Sequence, residues 1–227
     1  PEPFPLNDKI VFDHVSFMYP DGNENVISDI CLTINKGDRI GVVGASGEGK
    51  TTFVNTLLGF LEPNEGKILV DGGDIRQSVR GWMKNIGYIP QTIFLVDDTI
   101  RNNIVFGSPK ASDERIWEVL KIAKLDEFVK SLEHGLDTEV GENGVRLSGG
   151  QRQRIGMARA LYHDPDILVF DEATAALDDQ TESEIMNEIY GFNKDKTLII
   201  IAHRTSTLNG CDRIYRVVNG KVIEEKE

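Results

Sequence analysis

The chain has 227 residues, 40% of them hydrophobic and 27% charged, with a formal net charge of −12. That length allows one or two ordinary domains with a sizeable core, and the composition is globular, which excludes wholesale disorder. The acidic balance counts against a general nucleic-acid grip, which needs clustered Lys and Arg, but leaves phosphate ligands open because they need only a local positive field.

The opening PEPFPLND (1–8) is proline-rich and reads as an extended linker end. Short β-like runs follow: Val15, Phe17 and Tyr19 alternate with Ser16 and Met18, and Val26, Ile30, Leu32 and Ile34 share one parity. With DGNEN (21–25) as turn chemistry and Lys67–Val70 running into Asp71-Gly72, these predict a small antiparallel sheet. Ile40–Val43 is a compact apolar run followed by glycines and then a helical segment through Leu61. The stretch 92–164 is helical by pattern, with Ile116, Leu120 and Ala123 at helix spacing and Gly135 placed to cap 126–134. Ile167–Phe170 and Leu198–Ala202 are short, charge-free runs suited to strands buried on both faces of a parallel sheet. Thr181 and Glu184 have capping-box spacing before Ile185 and Ile189, and Asn219-Gly220 between apolar runs signals a hairpin.

Together the elements predict an α/β fold in which an N-terminal antiparallel β-subdomain joins a core with a mostly parallel sheet and an inserted helical subdomain. The expected boundaries are 1–8 for the linker, 9–91 with 165–227 for the core and β-subdomain, and 92–164 for the insertion. The apolar runs fall far short of the ~20 residues of a membrane helix, and no basic-then-apolar leader is visible, so the chain is expected to be soluble. Cys31 and Cys211 show no metal-site spacing and are expected to be buried, reduced thiols.

GASGEGKTT (44–52) fits Gly-x-x-x-x-Gly-Lys-Ser/Thr through Gly44, Gly49, Lys50 and Thr51, between a predicted strand and helix. Glycines let the backbone curl so that successive N–H groups face an anion, and the following helix aims its positive end there. Lys50 can reach β- and γ-phosphates, Thr51 can ligate Mg²⁺, and Thr52 can donate to the α-phosphate. Ile167–Phe170 ends in Asp171 and Glu172: the first carboxylate suits Mg²⁺, and the second suits orienting and deprotonating a water. LSGGQ (147–151) opens a helix that Ser148 can cap, its glycines leaving N–H groups available to a second anion. Two such helix starts in one chain suggest two copies facing each other, each closing the other's site.

Here the sequence resembles the nucleotide-binding domains of ABC transporters, from about residue 8 to the C-terminus. LSGGQ matches the family signature, GASGEGKTT its Walker A, and ILVFDE (167–172) its Walker B with the catalytic glutamate. The resemblance implies a P-loop NTPase core and an ATPase with ATP and Mg²⁺, and makes Ser46 and Gly47 phosphate-loop contacts beside Gly44, Gly49, Lys50, Thr51 and Thr52. It implies that Ser148, Gly149, Gly150 and Gln151 touch the nucleotide of a second copy. Gln91 in YIPQ (88–91) matches the Q-loop glutamine that contacts Mg²⁺, and His203 in IIIAHR (199–204) the switch histidine on the γ-phosphate. Tyr19 in FMYP (17–20) matches the aromatic that stacks on adenine, though on an alternating strand a core aromatic is the more common fate. Asp178 in AALD (175–178) matches the loop that crosses to the opposing site. Ala175 departs from the pattern, which usually has Ser there, and lacks the hydroxyl that the resemblance implies for a hydrogen bond across the dimer.

TEVGENG (138–144) and DDTIRNNIVFG (97–107) resemble exporter segments, which implies a transmembrane portion of the same polypeptide as partner, a homodimer on ATP binding, no nucleic acid, and a place on the cytoplasmic face of a membrane, the inner one if bacterial. The likeness is to half-transporters of lipids, lipid-linked oligosaccharides or peptides, with a lipid-linked oligosaccharide flippase as the narrowest reading. A soluble ABC ATPase acting on DNA or ribosomes is the alternative. It fits less well, because such proteins usually carry paired domains or a coiled-coil insertion. A non-hydrolytic nucleotide-binding regulator is a third reading, against which Glu172 and His203 both stand.

Overall fold

A computed structural model describes residues 3–225 except 46, 109, 193 and 204. Contacts divide it into two compact units, residues 1–86 with 195–227, and residues 87–194.

The first unit holds two sheets. In one, β1 (Lys9–Phe17) lies between β2 (Ile27–Asn35) and β4 (Glu65–Val70), with the short β5 (Gly73–Asp74) at the edge, all antiparallel. Alternation drives one face inward: Ile10, Phe12, Ile34, Ile68 and Val70 are all buried. In the other, β3 (Arg39–Val43) runs parallel to both β8 (Thr197–Ile201) and β9 (Arg213–Val218), and β10 (Lys221–Glu225) returns antiparallel to β9. Every residue of β8 is buried, as expected of a charge-free parallel strand. The Asn219-Gly220 turn has φ of 48° and 74°, the left-handed pair that a two-residue hairpin requires. Helix α1 (Lys50–Leu58) follows β3, and α2 (Val79–Met83) carries Trp82, fully buried with its indole N–H donating to the Leu57 carbonyl at 2.8 Å.

The second unit contains β6 (Ile86–Ile89, beginning at the boundary), α3 (Ile100–Ile104), α4 (Asp113–Ile122), α5 (Asp126–Ser131), α6 (Gly149–Tyr162), β7 (Ile167–Asp171) and α7 (Asp179–Phe192). Strands β6 and β7 are neighbours in a sheet, and α6 packs against α3 and α4. The helical spacing predicted for α4 holds, with Ile116, Leu120 and Ala123 completely buried. Among the described residues, no helix is long and apolar enough to cross a membrane.

Several expectations need correcting. The helix after the glycine loop stops at Leu58, three residues before Leu61, because Gly59 adopts φ 81° and terminates it. Helix α5 ends at Ser131, so Gly135 does not cap it. Helix α7 begins at Asp179, and its first turn is capped by Asp178, which accepts from the Thr181 backbone N–H at 2.9 Å; Thr181 is inside the helix. Cys31 is exposed and Cys211 partly so, because neither faces a core. Val26 precedes β2, and Ile27 is the residue buried there: a bulge shifts the parity read from the sequence.

Candidate functional site

In the first unit, β3 delivers the chain into the loop that begins at Gly44. A Cβ there would lie 2.7 Å from the Val217 carbonyl oxygen, so the approach of β9 leaves room only for glycine. The loop ends at Gly49, which has φ 98° and would place a Cβ 2.7 Å from the Val26 carbonyl. Only glycine satisfies both demands without strain. Gly49 is also the N-cap of α1 and, lacking a side chain, contributes no cap hydrogen bond. Helix geometry leaves first-turn N–H groups without intrahelical acceptors, so this end is set up for an anion. Lys50 opens the helix, is 7% exposed, and donates from Nζ to the Gly44 carbonyl at 3.1 Å. A nearly buried ammonium is costly unless it meets acceptors or negative charge. Its position inside the glycine loop suits a phosphate.

Thr51 exposes its side chain on the first turn, whereas Thr52 is buried with Oγ1 3.3 Å from the Tyr19 hydroxyl. β1 ends at Phe17, so Tyr19 lies beyond it, 42% exposed, with its ring edge-to-face on Phe17 at 4.9 Å. Tyr19 is therefore not a core aromatic, and its hydroxyl reaches the helix that carries the threonines. His203 is exposed, two residues beyond the end of β8. Gly47 is exposed with φ 84°, and Ser46 lies outside the described residues.

In the second unit, Asp171 closes β7 half-buried, and its carboxylate accepts from the Tyr88 hydroxyl at 2.9 Å. Burial, with the Asp171 charge and hydrogen bond, pushes the Tyr88 phenol far above its ordinary pKa, so it remains a donor. Glu172 adopts φ 52°, and this left-handed turn ends the strand. For a residue with a Cβ that conformation costs roughly 1–2 kcal/mol, strain of the kind that clusters at functional sites. Gln91 is exposed, and its backbone carbonyl is held by the Gln153 amide at 3.3 Å.

The start of α6 is a complete capping box: the Ser148 hydroxyl accepts from the Gln151 N–H at 3.1 Å, and the Gln151 side chain accepts from the Ser148 N–H at 2.9 Å. Gly149 and Gly150 lie against Ala176 and Leu177, at ordinary contact distances of 3.8 and 3.5 Å for an added Cβ. The turn carrying Asp178 is thus brought beside the LSGGQ helix start. Asp178 itself is committed to Thr181, whose backbone N–H and hydroxyl hold its carboxyl below the usual range.

A profile of the ABC transporter family matches residues 27–175. The chain belongs to the ABC transporter family. It is the nucleotide-binding, ATP-hydrolysing domain of that family. This ABC domain is 43% identical over 217 residues to proteins of Staphylococcus aureus strains NCTC 8325 and COL described as multidrug export ATP-binding/permease proteins. The match covers 95% of this chain and 38% of each relative, so the ABC domain spans little more than a third of their length. Among solved structures, a bacterial Atm1-family ABC exporter with ATP bound matches at TM-score 0.92 and 38% identity, over 98% of this chain and 39% of that one.

Some parts of the ABC domain's site were not foreseen. Glu48 anchors the phosphate loop to the β9–β10 turn: its carboxylate accepts from the Asn219 N–H, and its carbonyl accepts from the Gly220 N–H at 3.0 Å. Tyr88 and Gln153 hold Asp171 and the Gln91 segment. These partners lie 171, 83 and 62 residues apart, a separation for which no local pattern exists.

Proposed function

We propose that this ABC domain binds Mg-ATP and hydrolyses it to drive export through a transmembrane portion of the same polypeptide. The observation that carries the reading is the Lys50 ammonium, nearly buried and bonded to the Gly44 carbonyl within a glycine loop that opens an uncapped helix. Lys50, Gly44, Ser46, Gly47, Gly49, Thr51 and Thr52 hold the phosphates, and Tyr19 offers its exposed ring to the adenine. The donors fit Mg²⁺: an exposed threonine hydroxyl at Thr51, a carboxylate at Asp171 oriented by Tyr88, and an exposed amide at Gln91. When bound, Mg²⁺ neutralises charge on the β- and γ-phosphates. Glu172 orients the attacking water and accepts its proton, and His203 donates to the γ-phosphate.

Ser148, Gly149, Gly150, Gln151 and Asp178 serve the nucleotide of a second copy, giving a head-to-tail dimer. Supporting this, nothing within the second unit requires glycine at 149 or 150, since an added Cβ meets only ordinary contacts. Residues 92–164 form the helical subdomain that meets the transmembrane portion. There a cavity of about 350 Å³ is lined by Ile93, Phe94, Val96 and Phe106 among others, and Phe94 and Phe106 are 67% and 57% exposed. An open apolar groove of this kind suits a short helical segment of the membrane part. The whole protein then works with this domain on the cytoplasmic face of a membrane, on amphipathic or lipid-linked cargo.

The test is Glu172→Gln in the 227-residue chain. It should bind ATP, release no phosphate, and accumulate as an ATP-dependent dimer in sedimentation. Normal phosphate release by this variant would remove Glu172 from the chemistry. Ser148→Arg should abolish the dimer, and a dimer that persists would sink the composite site.

A further inference from the structure

A cluster of metal-binding side chains lies on the antiparallel sheet, sharing no residue with the phosphate loop, in a place the sequence did not mark. His14 Nδ1 is 2.6 Å from Asp29 Oδ1 and 3.5 Å from Cys31 Sγ. One donor atom from each of the three lies within 4.8 Å of the other two, and all three residues are exposed.

The backbone has been bent to bring them together. On β1, Phe12 and Val15 pair with Leu32 and Ile30 of β2, so three residues of β1 span what two residues of β2 span. Next to it, Val15 and Phe17 pair with Ile30 and Ile27, and the excess residue is now on β2. These are two compensating β-bulges, one on each strand. Each contains a left-handed residue that is not glycine, His14 at φ 52° and Asp29 at φ 48°. The bulge on β1 keeps Phe12 and Val15 in the core while turning His14 outward, onto the face that carries Asp29 and Cys31. The buried Ser16 hydroxyl fixes the second bulge by accepting from the Asp29 N–H at 2.8 Å. Both strained residues supply side chains to one cluster, a coincidence that sheet packing alone does not require.

We propose that His14, Asp29 and Cys31 form a binding site for a borderline divalent transition metal, Zn²⁺ being the ion that best fits the donors. One imidazole, one carboxylate and one thiolate are a mixed nitrogen, oxygen and sulfur set with a fourth position left for water. Ligands around tetrahedral zinc lie about 3.3–3.7 Å apart, so the His14–Asp29 hydrogen bond opens by less than about 1 Å as the ion enters. The ion replaces the Cys31 thiol proton, which leaves to buffer. Hard Mg²⁺ keeps to oxygen donors and does not compete for this thiolate and imidazole. Bound metal would fasten β1 to β2 across both bulges.

The test uses the reduced, chelator-treated 227-residue chain saturated with Mg-ADP, titrated with Zn²⁺ by calorimetry and with Co²⁺ by absorbance. One equivalent should bind, Co²⁺ should show a thiolate charge-transfer band, and Zn²⁺ should raise the melting temperature. Cys31→Ser should abolish the band and weaken Zn²⁺ by about tenfold or more, the scale lost even when only an outer partner of a metal site is removed. His14→Asn, which tolerates the left-handed backbone, should weaken it similarly. Cys211→Ser should change nothing. Absence of stoichiometric binding, or unchanged binding in Cys31→Ser and His14→Asn, would overturn the assignment.

Discussion

Two helix starts in this chain are rich in glycine, and they are built in opposite ways. At α1 the glycines are demanded by the protein itself: Gly44 lies under the Val217 carbonyl, and Gly49 is left-handed against the Val26 carbonyl. Yet that end carries no side-chain cap and surrounds a nearly buried lysine. At α6 the reverse holds. Ser148 and Gln151 complete a capping box, while Gly149 and Gly150 meet nothing that would forbid a larger residue. The first end is shaped from within and left for a ligand. The second is finished from within, and its glycines are not demanded by any contact among the described residues.

The largest expected effect tests the first half of that contrast. Lys50→Ala should lower ATP turnover by about 10²–10³-fold or more, on the scale of removing a positioned donor from a developing anion. Near-normal phosphate release would break the comparison at once. Next comes the pair Gly49→Ala and Gly149→Ala. The former should destabilise the chain by at least about 1–2 kcal/mol in urea unfolding, because a Cβ is forced into a left-handed, occupied position. The latter should leave stability unchanged or raise it by up to ~1 kcal/mol, since alanine is the better helix former. Its turnover at dimer-forming concentrations should nonetheless fall by about tenfold or more. Equal stability losses in the two variants would erase the distinction.

Ser148→Ala should cost about 1 kcal/mol of stability, the usual worth of an N-cap, read from the same unfolding curves. The smallest effect is Tyr88→Phe, which removes one hydrogen bond from Asp171 and should raise the Mg²⁺ concentration for half-maximal turnover by about threefold, or ~0.6 kcal/mol. The Tyr88 phenol itself responds to pH. Its folded pKa is raised above the ordinary 10.0, so its contribution to stability is complete below about pH 10 and is lost as pH rises beyond. Near neutral pH, Tyr88 should leave the pH–rate profile unchanged.

Much of this was legible in the residues. The phosphate loop between β3 and α1, the acids ending β7, the cap at Ser148 and the Asn219-Gly220 hairpin are each set by neighbours a few positions apart. The errors were of two kinds. Helix ends at Leu58 and Ser131 and the start of α7 were misjudged, because Gly59 and Asp178 competed with equally plausible local signals. Cys31 reads as a buried thiol on cysteine usage alone, whereas the alternation of Ile30, Leu32 and Ile34 already sets it on the opposite, exposed face of β2.

Taken by itself, the chain of residues determined where strands, helices and glycine turns arise, and which side chains stand at their ends, since periodicity, capping and backbone freedom act within a turn or a strand. Tertiary structure decided what those ends meet: Glu48 under the Asn219-Gly220 turn, Tyr88 on Asp171, Ala176 beside Gly149, and His14 facing Asp29 and Cys31. Such pairings depend on register and packing between distant segments. A single inserted residue in β1 was enough to turn a histidine onto a face where alternation would not have put it.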